Sequence, residues 1–297
     1  MLLKKIISGI VVGALVALAE VFSPFIWFLA VCAVAVFANY EFQKIGEEKQ
    51  YRQNFKLITF FIMLFMFITY TVSNIVRIDG DMLQNLKNLL IPINSLGIHE
   101  WKFIFMSRIS SVQNFILGIV FLSIVTISLF YKPRLSIGSI SFSFLRVIYL
   151  GFFPSFLILL RSIPRGAEFL FIILLAGASC DIFAYVFGKN FGKTPFFNEL
   201  SPNKTLEGSI GGTVSCIIIT MIGGFLMGAV WYHSFILGLI IAIFSQMGDL
   251  IESLFKRNVG IKDTGNVIPG HGGIMDRIDS YIFLGFPIYF YLLYFSC

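Results

Sequence analysis

Charged side chains are scarce in this sequence: Asp, Glu, Lys and Arg make up 13% of its 297 residues, against about a quarter in a soluble domain. Hydrophobic residues make up 57%, and apolar runs of roughly 17–25 residues, the length that crosses a bilayer, recur along the chain. The short alternating segments of a transmembrane β-barrel are absent. The sequence therefore predicts an all-α fold, a polytopic transmembrane helical bundle embedded in the lipid bilayer.

Cysteine is also scarce, with four residues that lie in or beside apolar runs and show no C-x-x-C spacing: Cys32, Cys180, Cys216 and Cys297. This pattern predicts neither a disulfide framework nor a zinc site. The net charge of +6 would suggest nucleic acid in a soluble protein. In a membrane protein it is typical of basic cytoplasmic loops, so we predict no nucleic-acid partner.

The apolar runs predict about nine spans, at 6–22, 24–40, 57–76, 114–131, 140–160, 169–188, 210–228, 234–250 and 278–296. The first is interpreted as an uncleaved span, with a cleavable signal peptide as the alternative. Polar residues and Pro92 interrupt the stretch 89–106, which we predict to be an outer loop or a re-entrant segment.

Basic residues predict the orientation of these spans. With the N-terminus inside, 15 of the 22 Lys and Arg residues fall on the inner side and six on the outer side. This bias predicts that the N-terminus is inside and the C-terminus outside, in an inner (cytoplasmic) membrane. We divide the chain into an N-terminal transmembrane region, 1–110, with about three spans plus an outer loop, and a C-terminal transmembrane catalytic region, 111–297.

Polar residues concentrate in two predicted inner loops, 189–209 and 251–277. The second loop belongs to a cluster of acids and bases that begins at the end of the preceding span and continues just past the loop. Its members are Asp249, Glu252, Lys256, Arg257, Lys262, Asp263, Asp276, Arg277 and Asp279. Carboxylates suit Mg²⁺, bases neutralise phosphoryl oxygens, and the run from Gly270 to Gly273 lets backbone N–H groups approach a phosphate. The alternative is a solvated loop whose bases set topology or bind anionic lipid. We adopt that interpretation only for Lys132, Arg134, Lys189 and Lys193.

Two further features lie in and just before the first polar loop. Asp181 lies inside the apolar run 176–188, where a carboxylate needs a partner or a metal. Ser201, Lys204, Thr205 and Glu207 open the next span, and polar groups with glycines at a helix N-terminus suit an anion. The alternative is an ordinary helix cap, with Gly208 and Gly212 serving close helix packing.

These motifs resemble the phosphatidate cytidylyltransferase family, also called CDP-diacylglycerol synthases. Its signature is a serine, two residues, Lys-Arg, four residues, Lys-Asp, a short linker, His-Gly-Gly, two residues and Asp-Arg-x-Asp. Every fixed position is met, by Ser253, Lys256, Arg257, Lys262, Asp263, His271, Gly272, Gly273, Asp276, Arg277 and Asp279. Three upstream segments are also similar: Asp181-x-x-Ala184-Tyr185, Ser201-Pro-x-Lys204-Thr205-x-Glu207-Gly208 and Gln246-x-Gly248-Asp249.

The resemblance implies a homodimeric enzyme that joins CTP to phosphatidic acid, giving CDP-diacylglycerol and pyrophosphate. It implies Mg²⁺ and leaves open a second, monovalent cation such as K⁺. By position, the expected metal ligands are Asp249 and Asp276. The expected catalytic residues are Lys256, Arg257, Lys262, Asp263, His271, Arg277 and Asp279. The expected substrate-binding residues are Asp181, Ser201, Lys204, Thr205, Glu207, Gly272 and Gly273.

Two rival functions were weighed against this interpretation. A CDP-alcohol phosphotransferase needs an Asp-Gly-x-x-Ala-Arg run with two further spaced aspartates, and the sequence has none. A polytopic transporter with a charged cytoplasmic-side site would show repeated halves with broken helices. Here the charge is concentrated in one C-terminal quarter, which favours the enzyme.

Overall fold

The computed structural model describes residues 23–51, 54–90, 96–130, 135–261 and 273–295; within these ranges it describes the backbone alone for residues 76–90, 96–108 and 110. Within these ranges the chain forms ten α-helices and one π-helical turn. The helices are α1 (Pro24–Glu48), α2 (Phe55–Leu90), α3 (Leu96–Phe130), α4 (Ile137–Val147), α5 (Phe153–Ser162), α6 (Gly166–Phe191), α7 (Leu206–Leu226), α8 (Trp231–Val259), α9 (Met275–Ile282) and α10 (Gly285–Phe295). The π-helical turn, Ile148–Phe152, joins α4 to α5.

The all-α prediction is confirmed, since the described ranges contain no strand beyond a single bridge between Pro195 and Thr205. Eight helical segments in these ranges are long and apolar enough to cross a membrane, with Ile137–Ser162 and Met275–Phe295 each counted as one. They correspond to the second through ninth predicted spans. The first predicted span, 6–22, lies outside the described residues, so the total of nine and the orientation of the termini stay predictions.

Helix ends follow local sequence signals. The Ser23 hydroxyl accepts the Phe25 N–H at 3.1 Å and Pro24 begins α1, as expected for a serine N-cap followed by proline. The Ser136 hydroxyl accepts the Ser139 N–H at 3.1 Å and caps α4 in the same way. These caps supply partners for N–H groups that have none within the helix.

The prediction of a loop or re-entrant segment at 89–106 is wrong for most of that stretch. Helix α2 continues to Leu90, and α3 begins at Leu96 and runs unbroken to Phe130. With 36 and 35 residues, each helix is about 50 Å long, which exceeds the roughly 30 Å hydrocarbon core. Among the residues whose side chains are described, the parts of these helices that are apolar enough to cross a membrane are Phe55–Ile75 and Ser111–Phe130. The polar residues therefore extend these helices and do not interrupt them, while Pro92 falls in the stretch between them.

The predicted inner loop 251–277 also begins as helix. Helix α8 runs nine residues past the predicted end of its span and stops at Gly260. Gly260 has φ of 79°, a left-handed conformation that glycine adopts without a Cβ clash and that commonly ends helices. Asp249, Glu252 and Lys256 are spaced three and four residues apart, so they share one face of α8.

Small residues let α6 and α7 pack closely. A Cβ atom at Gly208 would lie 2.6 Å from the Ala184 carbonyl oxygen, and one at Gly212 would lie 2.8 Å from that of Cys180. The two glycines therefore serve close helix packing, as one of the two sequence interpretations proposed. This contact places Asp181 on α6 beside the N-terminus of α7.

Candidate active site

Helices α8 and α9 cross where Gly248 faces the backbone of α9. A Cβ atom at this position would lie 2.3 Å from the Asp279 carbonyl oxygen and 3.2 Å from the Ser280 Cα. Only glycine permits an approach this close, because the neighbouring atoms belong to the backbone and cannot rotate away. The crossing brings the acids of α8 beside those of α9.

Three carboxylates meet at this crossing. Asp249 and Glu252 of α8 and Asp279 of α9 each offer an oxygen within 4.8 Å of the others. Glu252 and Asp279 are buried, with 0% and 7% exposure. Like charges so close disfavour one another's ionised form, and grouped carboxylate oxygens are the ligands that hard divalent cations prefer. The group therefore fits a divalent cation.

Lys256 lies between the buried Glu252 and the half-buried Asp276. Its Nζ is 2.8 Å from the Asp276 Oδ1 and forms an ion pair with Glu252, one turn earlier on α8. The second oxygen of Asp276 accepts the Gly273 N–H at 2.8 Å. Lys256 and Asp276 have side-chain exposures of 12% and 13%, so water screens this pair weakly.

The structure places the two predicted metal ligands, Asp249 and Asp276, in different surroundings. Asp249 lies in the carboxylate group, whereas Asp276 contacts Lys256 and Gly273. The other two members of the group are Asp279, predicted to be catalytic, and Glu252, which received no role. The spacing of Glu252 three residues after Asp249 is the signal that indicates a shared helix face. The assignment of Asp276 as a metal ligand stays a prediction.

The segment before α7 supplies a second lysine to the site. Lys204 Nζ lies 2.7 Å from the Asp249 Oδ2, and the Arg257 Nε donates to the Leu200 carbonyl oxygen at 3.1 Å. The backbone N–H of Lys204 donates to the Ser201 carbonyl oxygen at 3.1 Å, which closes a turn. Lys204 thus borders the carboxylates, and Arg257 holds α8 to the segment that carries Lys204.

Helix α6 contributes Asp181. Its Oδ1 accepts a hydrogen bond from the Ser280 hydroxyl of α9 at 3.4 Å. Asp181 is exposed although it stands in an apolar helix, and Arg277 of α9 is exposed as well. Of the described candidates, those on α6, α8 and α9 and in the segment before α7 are therefore brought to one region.

Gln246 of α8, three residues before Asp249, connects α8 to α6 and α7. Its Nε2 donates to the Ser209 carbonyl oxygen at 3.2 Å and to the Thr213 hydroxyl at 3.1 Å, and it approaches the Cys180 Sγ at 3.8 Å. Its Oε1 accepts from the Ser209 hydroxyl. A half-buried amide with this many hydrogen bonds fixes the rotation of α8 against α7 and α6.

Glu207 and Thr205 shape the segment that carries Lys204. The Thr205 hydroxyl accepts the Gly208 N–H at 3.2 Å and caps α7, as the alternative interpretation held. The Glu207 carboxylate accepts the N–H groups of Lys193 and Thr194 at 3.1 and 3.2 Å, and the Thr194 hydroxyl at 2.9 Å. The substrate-binding roles of both residues stay predictions.

Replacing Glu207 with alanine is expected to loosen this segment. Hydrogen bonds to a charged acceptor are stronger than neutral ones, so without them the Lys193 and Thr194 amides should exchange with solvent about tenfold or more faster. Hydrogen exchange followed by mass spectrometry measures this directly. Glu199→Ala, at an exposed position of the same segment, is the matched control and should leave both rates unchanged. Equal rates in the wild type and Glu207→Ala would contradict the assignment.

The remaining predicted residues belong to the stretch of sequence between α8 and α9. Gly273 donates its N–H to Asp276 at the entry to α9. Lys262, Asp263, His271 and Gly272 lie outside the described residues, and their proposed roles stay predictions.

Comparison with known proteins identifies the family of this chain. The profile of the cytidylyltransferase family matches residues 3–295. The phosphatidate cytidylyltransferase of Bacillus subtilis is 30% identical over 243 residues, which cover 78% of this chain and 90% of that protein. That of Synechocystis is 35% identical over 193 residues, covering 63% and 64%, and that of Staphylococcus aureus is 37% identical over 155 residues, covering 52% and 59%.

The range matched by the family profile, 3–295, includes the acids and bases described above. The family profile spans nearly the whole sequence, and the Bacillus subtilis protein aligns over most of its own length. The chain therefore belongs to the cytidylyltransferase family.

Proposed function

We propose that this chain is a phosphatidate cytidylyltransferase, which transfers the cytidylyl group of CTP to phosphatidic acid and releases pyrophosphate. The observation that carries the proposal is the carboxylate group of Asp249, Glu252 and Asp279, flanked by Lys204 and Lys256. Grouped carboxylates beside lysines suit a polyphosphate and its cation. The names of the relatives supply the two substrates.

In this proposal Asp249, Glu252 and Asp279 hold Mg²⁺, and Asp276 stays a candidate ligand. When bound, Mg²⁺ would neutralise charge on the phosphoryl oxygens of CTP. The described part of the site has more carboxylates than basic side chains, which is also compatible with a second, monovalent cation such as K⁺. Lys204, Lys256, Arg257 and Arg277 are proposed to neutralise the remaining phosphate charge.

The proposed reaction is a single in-line displacement. An oxygen of the phosphatidate phosphate forms a bond to the α-phosphorus of CTP, while the bond from that phosphorus to the bridging oxygen breaks. Pyrophosphate leaves with the electron pair of the broken bond. The attacking phosphate is already ionised near neutral pH, so the step requires no general base, and the role of the chain is to position both phosphates and stabilise their charge.

The location and assembly of the protein are part of the same proposal. We place it in the inner membrane with its active site facing the cytoplasm, because the lysines and arginines of the site belong to the side that the positive-inside rule makes cytoplasmic. We also propose a homodimer. Cross-linking in native membranes tests the dimer, and labelling of single cysteines introduced at exposed site positions tests the orientation.

Pyrophosphate release by the purified protein tests the activity. We expect release only with phosphatidic acid, CTP and Mg²⁺ together, and its loss after the metal is removed with a chelator. Asp249→Asn and Asp276→Asn should each lower the rate by about 10²–10³, the scale of losing a group that stabilises transition-state charge. A folded, lipid-supplied wild type that releases no pyrophosphate would overturn the proposal and favour the transporter class.

A further inference from the structure

A carboxylate from the N-terminal part of the chain caps the helix that carries two of the site's acids. Glu41 of α1 is fully buried. Its Oε1 accepts the Ile274 N–H at 2.9 Å, and its Oε2 accepts the Met275 N–H at 2.8 Å. These partners lie 233 and 234 residues away along the sequence. The contact therefore joins the first described helix to the last part of the active site.

Glu41 provides the capping acceptor that α9 lacks at its own N-terminus. Ile274 occupies the N-cap position and its side chain makes no capping hydrogen bond. The first N–H groups of any helix have no partner within it, and a negative charge there is favoured by the helix dipole. Because both oxygens of Glu41 are used, the carboxylate fixes the position and the direction of the first turn of α9.

Glu41 is itself held firmly, because α1 is anchored two residues earlier. The Arg146 guanidinium of α4 donates to the Asn39 Oδ1 at 2.6 and 2.9 Å and to the Asn39 carbonyl oxygen at 3.0 Å. The Asn39 Nδ2 donates to the Thr59 hydroxyl of α2 at 2.9 Å. Arg146 and Asn39 are both fully buried, where hydrogen bonds are strong and their loss is costly. The hydrogen bonds among α1, α2 and α4 thus fix the position of Glu41 along the bundle.

We propose that Glu41 is a positioning residue for the transferase reaction. By holding the start of α9, it sets the placement of Asp276 against Lys256 and of Asp279 against Asp249 and Glu252. The inference rests on the proposed function, and it makes α1 part of the catalytic unit although α1 contributes no group to the reacting atoms. Misplacing a site by about 1 Å can reduce the rate about 10²-fold, so the effect of losing this carboxylate should be large.

Glu41→Gln is the sharpest variant, because it keeps the shape of the side chain and replaces one acceptor with a donor. The NH₂ group then opposes one of the two backbone N–H groups. We expect the Ile274 and Met275 amides to exchange at least about tenfold faster, a loss of about 1.4 kcal/mol. We also expect kcat to fall 10- to 100-fold and the KM for CTP to rise at least threefold, on the order set by mispositioning.

Two further variants separate positioning from a general loss of folding. Glu41→Asp keeps both acceptors on a side chain shorter by one carbon, so it should retain an activity between those of the wild type and Glu41→Gln. Glu48→Gln makes the same substitution at an exposed site of α1 and should change nothing. A smaller folded fraction alone lowers kcat and leaves the KM for CTP unaltered, so the rise in KM distinguishes the two causes.

The outcomes are decisive for the inference. Unchanged exchange at Ile274 and Met275 in Glu41→Gln, or a kcat that falls only in step with the folded fraction at constant KM, would overturn it. If the wild type releases no pyrophosphate from CTP and phosphatidic acid, the proposed function fails. The exchange measurement still decides in that case whether Glu41 holds α9.

Discussion

Replacing Lys256 with methionine is expected to abolish cytidylyl transfer and to destabilise the contact between α8 and α9. Lys256 neutralises both Glu252 and Asp276, and its side chain is only 12% exposed. Methionine preserves much of the length and removes the charge, so two carboxylates face each other without their common partner. Breaking a buried ion pair by removing one member costs about 3–5 kcal/mol.

The rate of pyrophosphate release and the melting temperature measure this effect. We expect a fall in kcat of at least about 10²-fold, the scale of losing a group that stabilises developing charge. Lys44→Met is the matched control, because Lys44 is exposed and lies 4.7 Å from the ring centre of Tyr40. An exposed cation–π contact contributes about 0.5–1 kcal/mol. Retention of more than a tenth of the activity in Lys256→Met would contradict the assignment.

A double variant measures the charge repulsion that Lys256 relieves. Adding Glu252→Gln to Lys256→Met removes one of the two uncompensated carboxylates, so the melting temperature should recover part of its loss. The rate of transfer should stay low in either case, because Glu252 is itself a proposed Mg²⁺ ligand. An unrecovered melting temperature would contradict the stabilising role of the ion pair between Lys256 and Glu252.

Replacing Gly248 with alanine is expected to separate α8 from α9 and to inactivate the enzyme. The added methyl group would lie 2.3 Å from the Asp279 carbonyl oxygen, so one backbone must move. A shift of about 1 Å between Asp249 and Asp279 is enough to lower the rate about 10²-fold. The substitution changes no charge and no hydrogen-bonding group, so the loss reports geometry alone.

Gly118→Ala provides the control for this substitution. Gly118 lies in α3, and a Cβ atom built there meets nothing within 4 Å. Alanine also favours helix more than glycine does by about 1 kcal/mol, so this variant should be as stable and as active as the wild type. Full activity in Gly248→Ala would show that the two helices can separate without consequence.

The sequence predicts the apolar spans well and the polar helix segments poorly. Hydropathy places the end of a span at about residue 250, because Glu252, Lys256 and Arg257 are polar. The helix nevertheless continues, since polarity marks the edge of the hydrocarbon layer and has no bearing on backbone hydrogen bonding. Gly260 is the local signal that ends α8, and the same reasoning applies to the polar parts of α2 and α3.

Contacts between residues that are distant along the chain cannot be predicted from periodicity and motifs. Arg146 stands inside an apolar run in the sequence, and its partner Asn39 lies 107 residues earlier. Glu41 sits at the end of a predicted span without any motif around it. The carboxylates of the signature were recognisable from their spacing, whereas the residue that holds their helix emerges only when α1 and α9 are placed together.

The continuity of α8 couples the site to the thickness of the surrounding bilayer. Its 29 residues form a rod of about 44 Å that begins in apolar sequence and carries Asp249, Glu252 and Lys256 near its far end. A helix responds to a thinner or thicker hydrocarbon layer by tilting or shifting as a whole. We therefore expect the level of these side chains relative to the plane of lipid phosphates to change with acyl-chain length.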